Sequence, residues 1–473
     1  MDLTRLIEPQ SVAIVGASAK KAPGRYEFLA WYKAAGFPGK IYPVNPNYEE
    51  VLGHKCYPSL NDVPENIDLA LIMLPAESSI AVLREAAPGK VKFAFIIASG
   101  FGELGNADLE NELVDAAKYS GIRILGPNCM GIYSRNGRTA QAARQPYGPG
   151  SGEIAMISQS GGNAANIVRT FTNSGVDMHS SISIGNQSDL CIEDFIEWYD
   201  RDEDVKIISG YVEDLKNGRR FVELTGDVST RKPVIIWKGG TTERGSQAAS
   251  SHTGALSIPG GIWNGVLRQT GIIPADNLLE IVYLSRALLW NPLPQGPGLC
   301  LISPGGAHSV TMTDASINEG LEVPILSQSA RNSLSEIIAK VNTIIDNPID
   351  VGAASYRPDI LKKTIEIVSK EKNIHAFIIY QFIYPFRETG GFELGLELIK
   401  TIGEMKKFMD KPVYIALYRP YLNFPVADEA KREIIEQLNR YKIPYTGDME
   451  SCIKMVGRIW RYSRYLQTKK RIQ

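Results

Sequence analysis

Met156-Ile157-Ser158-Gln159-Ser160-Gly161-Gly162 runs from an apolar strand-like segment into a glycine pair, and a helical segment follows as far as Asn173-Ser174-Gly175. The arrangement recurs at Leu301-Ile302-Ser303-Pro304-Gly305-Gly306, where the helix behind it stops near Glu319-Gly320. A glycine pair leaving a strand lets the backbone curl tightly. The helix behind it then points unsatisfied N–H groups and its positive dipole end at the turn. An anion, most simply a phosphoryl group, is the natural ligand there. Packing of a helix against a sheet through a small residue is the other use of such glycines.

Around these two turns, short apolar runs alternate with helix-length segments, the pattern of parallel sheets with crossover helices. A first set comprises Val12 to Ala17, Ile41 to Val44, Leu69 to Leu74, Phe93 to Ala98 and Ile122 to Leu125. A linker rich in proline and glycine, Gln145 to Gly150, follows it. The second set is Ile154 to Ile157, Ser181 to Ile184, Lys206 to Ser209 and Val234 to Trp237, followed by a linker at Asn291 to Gly298. The third is Leu299 to Ile302, Ala376 to Tyr380, Val413 to Tyr418 and a strand at Tyr445. The expectation is α/β in three domains: 1–148, 149–292 and 293–473. A chain of 473 residues has the length for this.

Composition excludes several classes. With 51 basic and 52 acidic side chains there is no electrostatic footprint for nucleic acid. No apolar run approaches the ~20 residues of a membrane span, and the amino terminus lacks the layout of a signal peptide, so a cytoplasmic protein is expected. The five cysteines form no CxxC pair, which disfavours a structural zinc site or a disulfide framework. No metal site is expected.

The first strand and turn, Val12-Ala13-Ile14-Val15-Gly16-Ala17-Ser18, invite a dinucleotide reading, but the spacing is wrong for NAD. The glycines fall at Gly16 and Gly24, without GxGxxG, and the next strand ends in Tyr42-Pro43-Val44-Asn45-Pro46 with no acid for a ribose hydroxyl. Backbone N–H groups at the turn, with Lys20, Lys21 and Arg25, suit a phosphorylated nucleotide other than NAD. A plain strand-to-helix turn is the alternative.

Ser250-Ser251-His252-Thr253-Gly254-Ala255-Leu256 sets one histidine among small residues, after the strand Pro233 to Lys238. The polar stretch Thr241 to Ser251 reads as a flexible loop that carries the ring. The reading is open between a surface histidine and a mobile functional one.

Taken together, these residues resemble one family over nearly the whole chain. Gly16-Ala17-Ser18, Val44-Asn45-Pro46, Leu74-Pro75, Ala98-Ser99-Gly100-Phe101-Gly102-Glu103 and Leu125 to Gly131 resemble the CoA-binding domain of succinyl-CoA synthetase and its relatives. Ser158 to Gly162, Ser183 to Asn186, Gly210-Tyr211-Val212-Glu213 and Ser251 to Ala255 resemble its phosphohistidine domain. Ser303 to Gly306 and Asn347-Pro348-Ile349-Asp350 resemble its ligase domain. The order is that of the α subunit of ADP-forming acyl-CoA synthetases.

The resemblance implies a Rossmann-like CoA-binding domain followed by two flavodoxin-like domains. It implies interconversion of ATP, a small carboxylate such as acetate, and CoA with acyl-CoA, ADP and phosphate, through acyl phosphate and phosphohistidine. His252 would carry the phosphoryl group and Glu213 would hold its other ring nitrogen. Ser160, Gly161 and Gly162 would bind the phosphoryl group at the acyl site, and Gly305 and Gly306 on the nucleotide side. CoA would lie at Gly16, Ser18, Asn45, Pro46, Pro75, Ser99 and Gly100, with Pro127 and Asn128 near its pantetheine end. Cys129 reads as a packed or spectator thiol, because CoA brings its own. Nothing resembles an ATP-grasp domain, so ATP or ADP with Mg2+ is expected mainly on a partner β subunit, in an α2β2 assembly. A non-catalytic CoA-sensing module and an NAD-dependent oxidoreductase are the alternatives.

Overall fold

The computed structural model describes residues 1–20, 27–141, 152–253, 258–339, 343–352, 357–382, 390–418 and 425–472; of residues 248, 250–253, 382, 418, 425–428 and 472 it describes the backbone alone. Three parallel-type sheets follow one another along the chain. In the first, the strands lie in the order Lys40–Val44, Ser11–Val15, Ile67–Ile72, Val91–Ile96, Arg123–Leu125, all parallel. Helices on both faces bury both sides of such strands, which is why they read as unbroken apolar runs rather than alternating ones. Val12, Ile14, Leu69 and Leu71 face one core, while Ala13, Val15, Ala70 and Ile72 face another.

The second sheet runs Ile273–Ala275, Val234–Lys238, Ile207–Val212, Ile154–Ser158, Met178–Ser183, Ile132–Ser134. Its last strand pairs antiparallel and comes from a segment that precedes the first linker in sequence. The first linker, Gln145 to Gly150, lies outside the described residues. In the first sheet the chain leaves Ser11–Val15 to one side and later returns on the other, and in the second it does the same from Ile154–Ser158. This makes a crevice at the carboxyl ends of the strands, where open α/β sheets bind ligands. The crevice of the first sheet opens beside Gly16, that of the second between Ser158 and Val212. One buried cluster is continuous from Leu69 and Phe95 to Ile157 and Ile208, so the two sheets form a single compact unit, Met1–Leu278.

The second unit, Leu279–Gln473, holds the third sheet: Ile349–Asp350, Leu299–Ser303, Ala376–Phe382, Val413–Tyr418, Tyr445–Thr446. Its core is formed by Ile302, Ile349, Phe377, Ile379, Ile415 and their neighbours. The 24-residue helix Met449–Ile472 ends in Lys469, Lys470 and Arg471, cations placed where they offset the negative end of its dipole. No helix among the described residues is long and apolar enough to cross a membrane.

One expectation fails. The stretch Thr241 to Ser251, read as a loop, is mostly helix, Glu243–Thr253. Thr242 closes its amino end, accepting Gly245 N on Oγ1 at 3.1 Å and Ser246 N on its carbonyl at 2.7 Å. The segment lacks the apolar period by which amphipathic helices are recognised. Glu243, Arg244, Gln247, Ala248 and Ala249 are nevertheless helix formers, and a threonine cap contributes about 1 kcal/mol. Residues 254–257, with Gly254, Ala255 and Leu256, lie outside the described residues.

Candidate active site at the strand ends of the first unit

In the first sheet the turn after Ser11–Val15 is made by Gly16 at φ +84°, where an added Cβ would sit 3.0 Å from the Met73 carbonyl oxygen. Only glycine combines that dihedral with that approach. Gly16 N donates to Val44 O at 2.9 Å, and Asn45 Nδ2 donates to Ala17 O at 2.8 Å, so the ends of the two strands are tied together. Ser18 Oγ lies 3.3 Å from Tyr48 Oη and accepts Lys20 N at 3.1 Å. A cavity of about 380 Å³ opens at this crevice, lined among others by Gly16, Asn45, Pro46, Leu74, Leu60 and Val82. Pro75 caps the helix Ala76–Glu85 at the same end of the sheet. Lys21 and Arg25 lie outside the described residues.

Ser99 and Gly100 begin the next strand-end loop, with Gly100 at φ +108°. The buried Glu103 turns back on it, and Oε1 accepts both Gly100 N and Phe101 N. Its other oxygen accepts Asn186 Nδ2 at 2.6 Å. Glu110 accepts Asn186 Nδ2 at 2.9 Å, Ser188 Oγ at 2.6 Å and Gly102 N at 2.9 Å. Pro127 and Asn128 are locked onto the same loop: Asn186 N donates to Pro127 O at 3.0 Å, and Asn128 N donates to Ala98 O at 2.8 Å. A Cβ on Gly185 would lie 2.0 Å from Pro127 O. The strand ends of the two sheets are thus stitched together through Glu103, Glu110, Asn186 and Ser188. Cys129 is buried below them, Sγ 3.4 Å from Ile96 O, and burial pushes its thiol up to about 12, which makes it inert.

In the second sheet, Ser158 Oγ donates to Ser160 O at 2.7 Å and Ser160 Oγ caps the helix Gly161–Asn173 by accepting Asn163 N. A Cβ on Gly161 would overlap Met130 Cγ at 2.2 Å, whereas one on Gly162 would meet only Ser160 Oγ, at 4.0 Å. Gly161 is therefore packed and Gly162 is open. Gly305 and Gly306, in the second unit, repeat the device. Ser303 Oγ donates to Gly305 O at 3.1 Å, and the helix Gly306–Asn318 begins there. Asn347 is structural: its amide closes on Leu299 O, Pro324 O and Leu301 N.

Glu213 lies next to the first of these helix starts. It is 6% exposed, and Oε1 accepts the Tyr211 hydroxyl at 2.9 Å. Burial first, and the Glu213 charge second, push the Tyr211 phenol well above its ordinary range, so it stays a donor. Gln159, adjoining Ser160, accepts the main-chain N–H groups of Glu213 and Asp214 on Oε1. Lys238, 5% exposed, donates to the carbonyls of Glu213, at 2.9 Å, and of Gly239. His252 stands in the helix Glu243–Thr253, whose backbone passes within 8 Å, Cα to Cα, of the Gly102–Leu104 turn; the imidazole is outside the described side chains.

The structure thus gathers Ser99, Gly100, Pro127, Asn128 and the 160–162 helix start around one junction, with Gly16, Ser18, Asn45, Pro46 and Pro75 at the neighbouring crevice. Reading the sequence assigned no role to Glu103, Glu110, Asn186, Gln159 or Lys238. Glu103, Asn186, Gln159 and Lys238 stood inside quoted segments and Glu110 in none, but their partners lie 25 to 83 residues away and only sheet order brings them together.

Residues 10–135 match the model of a CoA binding domain, and residues 151–288 that of a succinyl-CoA ligase like flavodoxin domain. The acetate–CoA ligase [ADP-forming] I subunit alpha of Pyrococcus furiosus is 31% identical, over 98% of each chain. Acetate–CoA ligase [ADP-forming] II of Archaeoglobus fulgidus is 30% identical, over 98% of this chain and 67% of its own length. The acetyl-coenzyme A synthetase 1 of Ca. Korarchaeum cryptofilum, solved in complex with phosphate and ADP, superposes with a TM-score of 0.85 at 30% identity, over 100% of this chain and 99% of that one. Family models, near full-length relatives and fold agree, and the chain belongs to the family of ADP-forming acetate–CoA ligase α subunits.

Proposed function

We propose that this chain is the CoA-binding, phosphoryl-carrying subunit of an ADP-forming acyl-CoA synthetase acting on acetate or another small acid. The observation that carries the reading is the junction itself. The Pro127–Asn128 loop, the Gly161–Gly162 helix start and the Glu213 carboxylate sit at adjoining strand ends, and the helix bearing His252 runs past the Gly102–Leu104 turn.

In the synthetic direction a neutral His252 nitrogen attacks the γ-phosphorus of ATP on the partner, forming a P–N bond as the bond to ADP breaks. Glu213 accepts the N–H of the other ring nitrogen and offsets the charge of the phosphorylated ring. A carboxylate oxygen then takes the phosphoryl group from nitrogen, giving acyl phosphate. The CoA thiolate attacks its carbonyl carbon, the C–S bond forms, the C–O bond breaks and phosphate leaves, the thiol proton passing to solvent. Ser160, Gly161 and Gly162 hold the phosphoryl group during these steps with first-turn N–H groups and the helix dipole. Gly16, Ser18, Asn45, Pro46 and Pro75 hold the nucleotide end of CoA, and Ser99, Gly100, Pro127 and Asn128 hold its pantetheine arm.

Gly305 and Gly306 serve the phosphoryl group on the nucleotide side. The partner is an ATP-grasp subunit that binds the nucleotide with Mg2+, in an α2β2 enzyme of the cytoplasm. This chain spans 67% of the longer Archaeoglobus relative. The test is division of labour: the isolated chain should bind CoA, bind ADP poorly and make no acyl-CoA from ATP, and an ATP-grasp partner should restore synthesis. Acyl-CoA formation by the isolated chain from ATP would overturn the reading.

A further inference from the structure

Three neighbouring parallel strands end together beneath Glu213: Ile154–Ser158, Ile207–Val212 and Val234–Lys238. Glu213 is the first residue past the middle one, so its main chain has left the ladder. Its N–H is nevertheless taken by Gln159 Oε1, from one neighbouring strand end, and its carbonyl by Lys238 Nζ, at 2.9 Å, from the other. Gln159 also accepts Asp214 N at 3.0 Å and donates through Nε2 to the Asp214 carboxylate. Gln159 N is itself fixed on Tyr211 O at 3.1 Å, and Gly239 N on Val212 O at 2.8 Å. The two side chains that grip Glu213 are therefore anchored to the strand that carries it.

A carbonyl at a strand end needs no lysine; water or a neutral donor satisfies it. Burying an ammonium to 5% exposure is costly, and an ion buried among polar groups is a poor source of stability. What the cation adds is direction and field. Burial lowers its pKa, and the charges of Glu213 and Asp214 oppose that lowering. Lys238 also leads directly into Gly239-Gly240 and the helix that carries His252.

We propose that Lys238, acting with Gln159, is a positioning residue for the phosphoryl-transfer site: the pair clamps the Glu213 main chain from both sides. The proposal rests on the reading of Glu213 as the carboxylate that orients His252. Gln159 makes the coupling specific, since the residue after it, Ser160, caps the helix proposed to hold the phosphoryl group. A shift of either clamp displaces the carboxylate relative to that helix start, and misplacement of about an ångström costs on the order of 10²-fold in rate.

The experiment uses the full chain with acetyl-CoA and radiolabelled phosphate, and reads the rate of phosphohistidine formation, CoA affinity by calorimetry and the melting temperature. Lys238→Met and Lys238→Ala should label on the order of 10- to 100-fold more slowly with CoA affinity unchanged. Ethylammonium should restore Lys238→Ala saturably, and ethanol should not. Labelling at the wild-type rate would overturn the proposal, and so would slow labelling that ethanol restores equally or that neither additive restores, because packing alone would then be the role. Should the lysine variants not fold, Gln159→Met decides: slow labelling with intact CoA binding upholds the clamp, and wild-type labelling removes it. Absence of label in the wild-type chain would instead strike the reading of His252 and Glu213 beneath it.

Discussion

The hydroxyl of Tyr211 donates to Oε1 of Glu213 at 2.9 Å, between two residues that leave the same strand end on the same side. The tyrosine ring is itself braced edge-on against Trp237, with centroids 4.6 Å apart, and Gly239 leaves it room, since a Cβ there would lie 2.7 Å from Tyr211 Oη. The carboxylate is thus held by its side chain as well as by its main chain. Tyr211→Phe removes one hydrogen bond to a charged group, about 1.5–3 kcal/mol of interaction at most. Turnover with the partner subunit should fall on the order of tenfold, while calorimetric CoA affinity stays as in the wild type. A Phe variant with full turnover would mean that the hydroxyl does not orient the carboxylate.

Glu213→Gln keeps the size and removes the charge. The phosphorylated ring then loses its electrostatic partner, and turnover should drop by ~10²-fold or more, as for other orienting and acid–base groups. CoA affinity should not change. A variant with normal turnover and weakened CoA binding would put Glu213 in a different site.

Gly185→Ala tests the junction between the two sheets. The residue sits at φ +53°, and the new Cβ would fall 2.0 Å from Pro127 O, a backbone atom that cannot rotate aside. Either loop must move, at a cost of about 3 kcal/mol. A lowered denaturation midpoint together with weakened CoA binding is the expected pair of effects; loss of stability with normal CoA binding would show that the Pro127–Asn128 loop does not contact the cofactor.

Away from the site, the buried His179 gives a pH signature. Burial lowers its pKa below the ordinary 6.5, against the opposing pull of Asp202, Glu8 and Asp204. Below pH ~6.5 the unfolded chain takes up the proton before the folded one does. The stability it contributes is therefore present above pH ~6.5 and lost as the pH falls through the folded value. Urea unfolding at pH 7.5 and 5.5 should show a smaller acid loss in His179→Gln than in the wild type. An identical loss in both would assign the pH dependence elsewhere.

The sheets were legible because parallel strands are buried on both faces, so Val12 to Ala17, Ile154 to Ile157 and Leu299 to Ile302 stand out as unbroken apolar runs bounded by glycine. The two helix starts were legible for the same reason, since glycine pairs directly follow such runs. The helix Glu243–Thr253 was not, because its faces are all polar or small and its propensity is local rather than periodic. Nor were the clamp on Glu213 and the Glu103–Asn186 stitch. A hydrogen bond between residues 54 or 83 positions apart leaves no trace in spacing, and depends on which strands become neighbours.

The central claim is that His252 carries the phosphoryl group between an acyl phosphate and a nucleotide, and one measurement reaches it without the partner. The chain is incubated with acetyl-CoA and radiolabelled phosphate, with no nucleotide present, then quenched in alkali and mapped by peptide mass spectrometry. The account predicts one acid-labile, base-stable phosphoryl group per chain, on His252, absent from His252→Ala and discharged by acetate with CoA. A label on another residue, or undiminished labelling in His252→Ala, would contradict it.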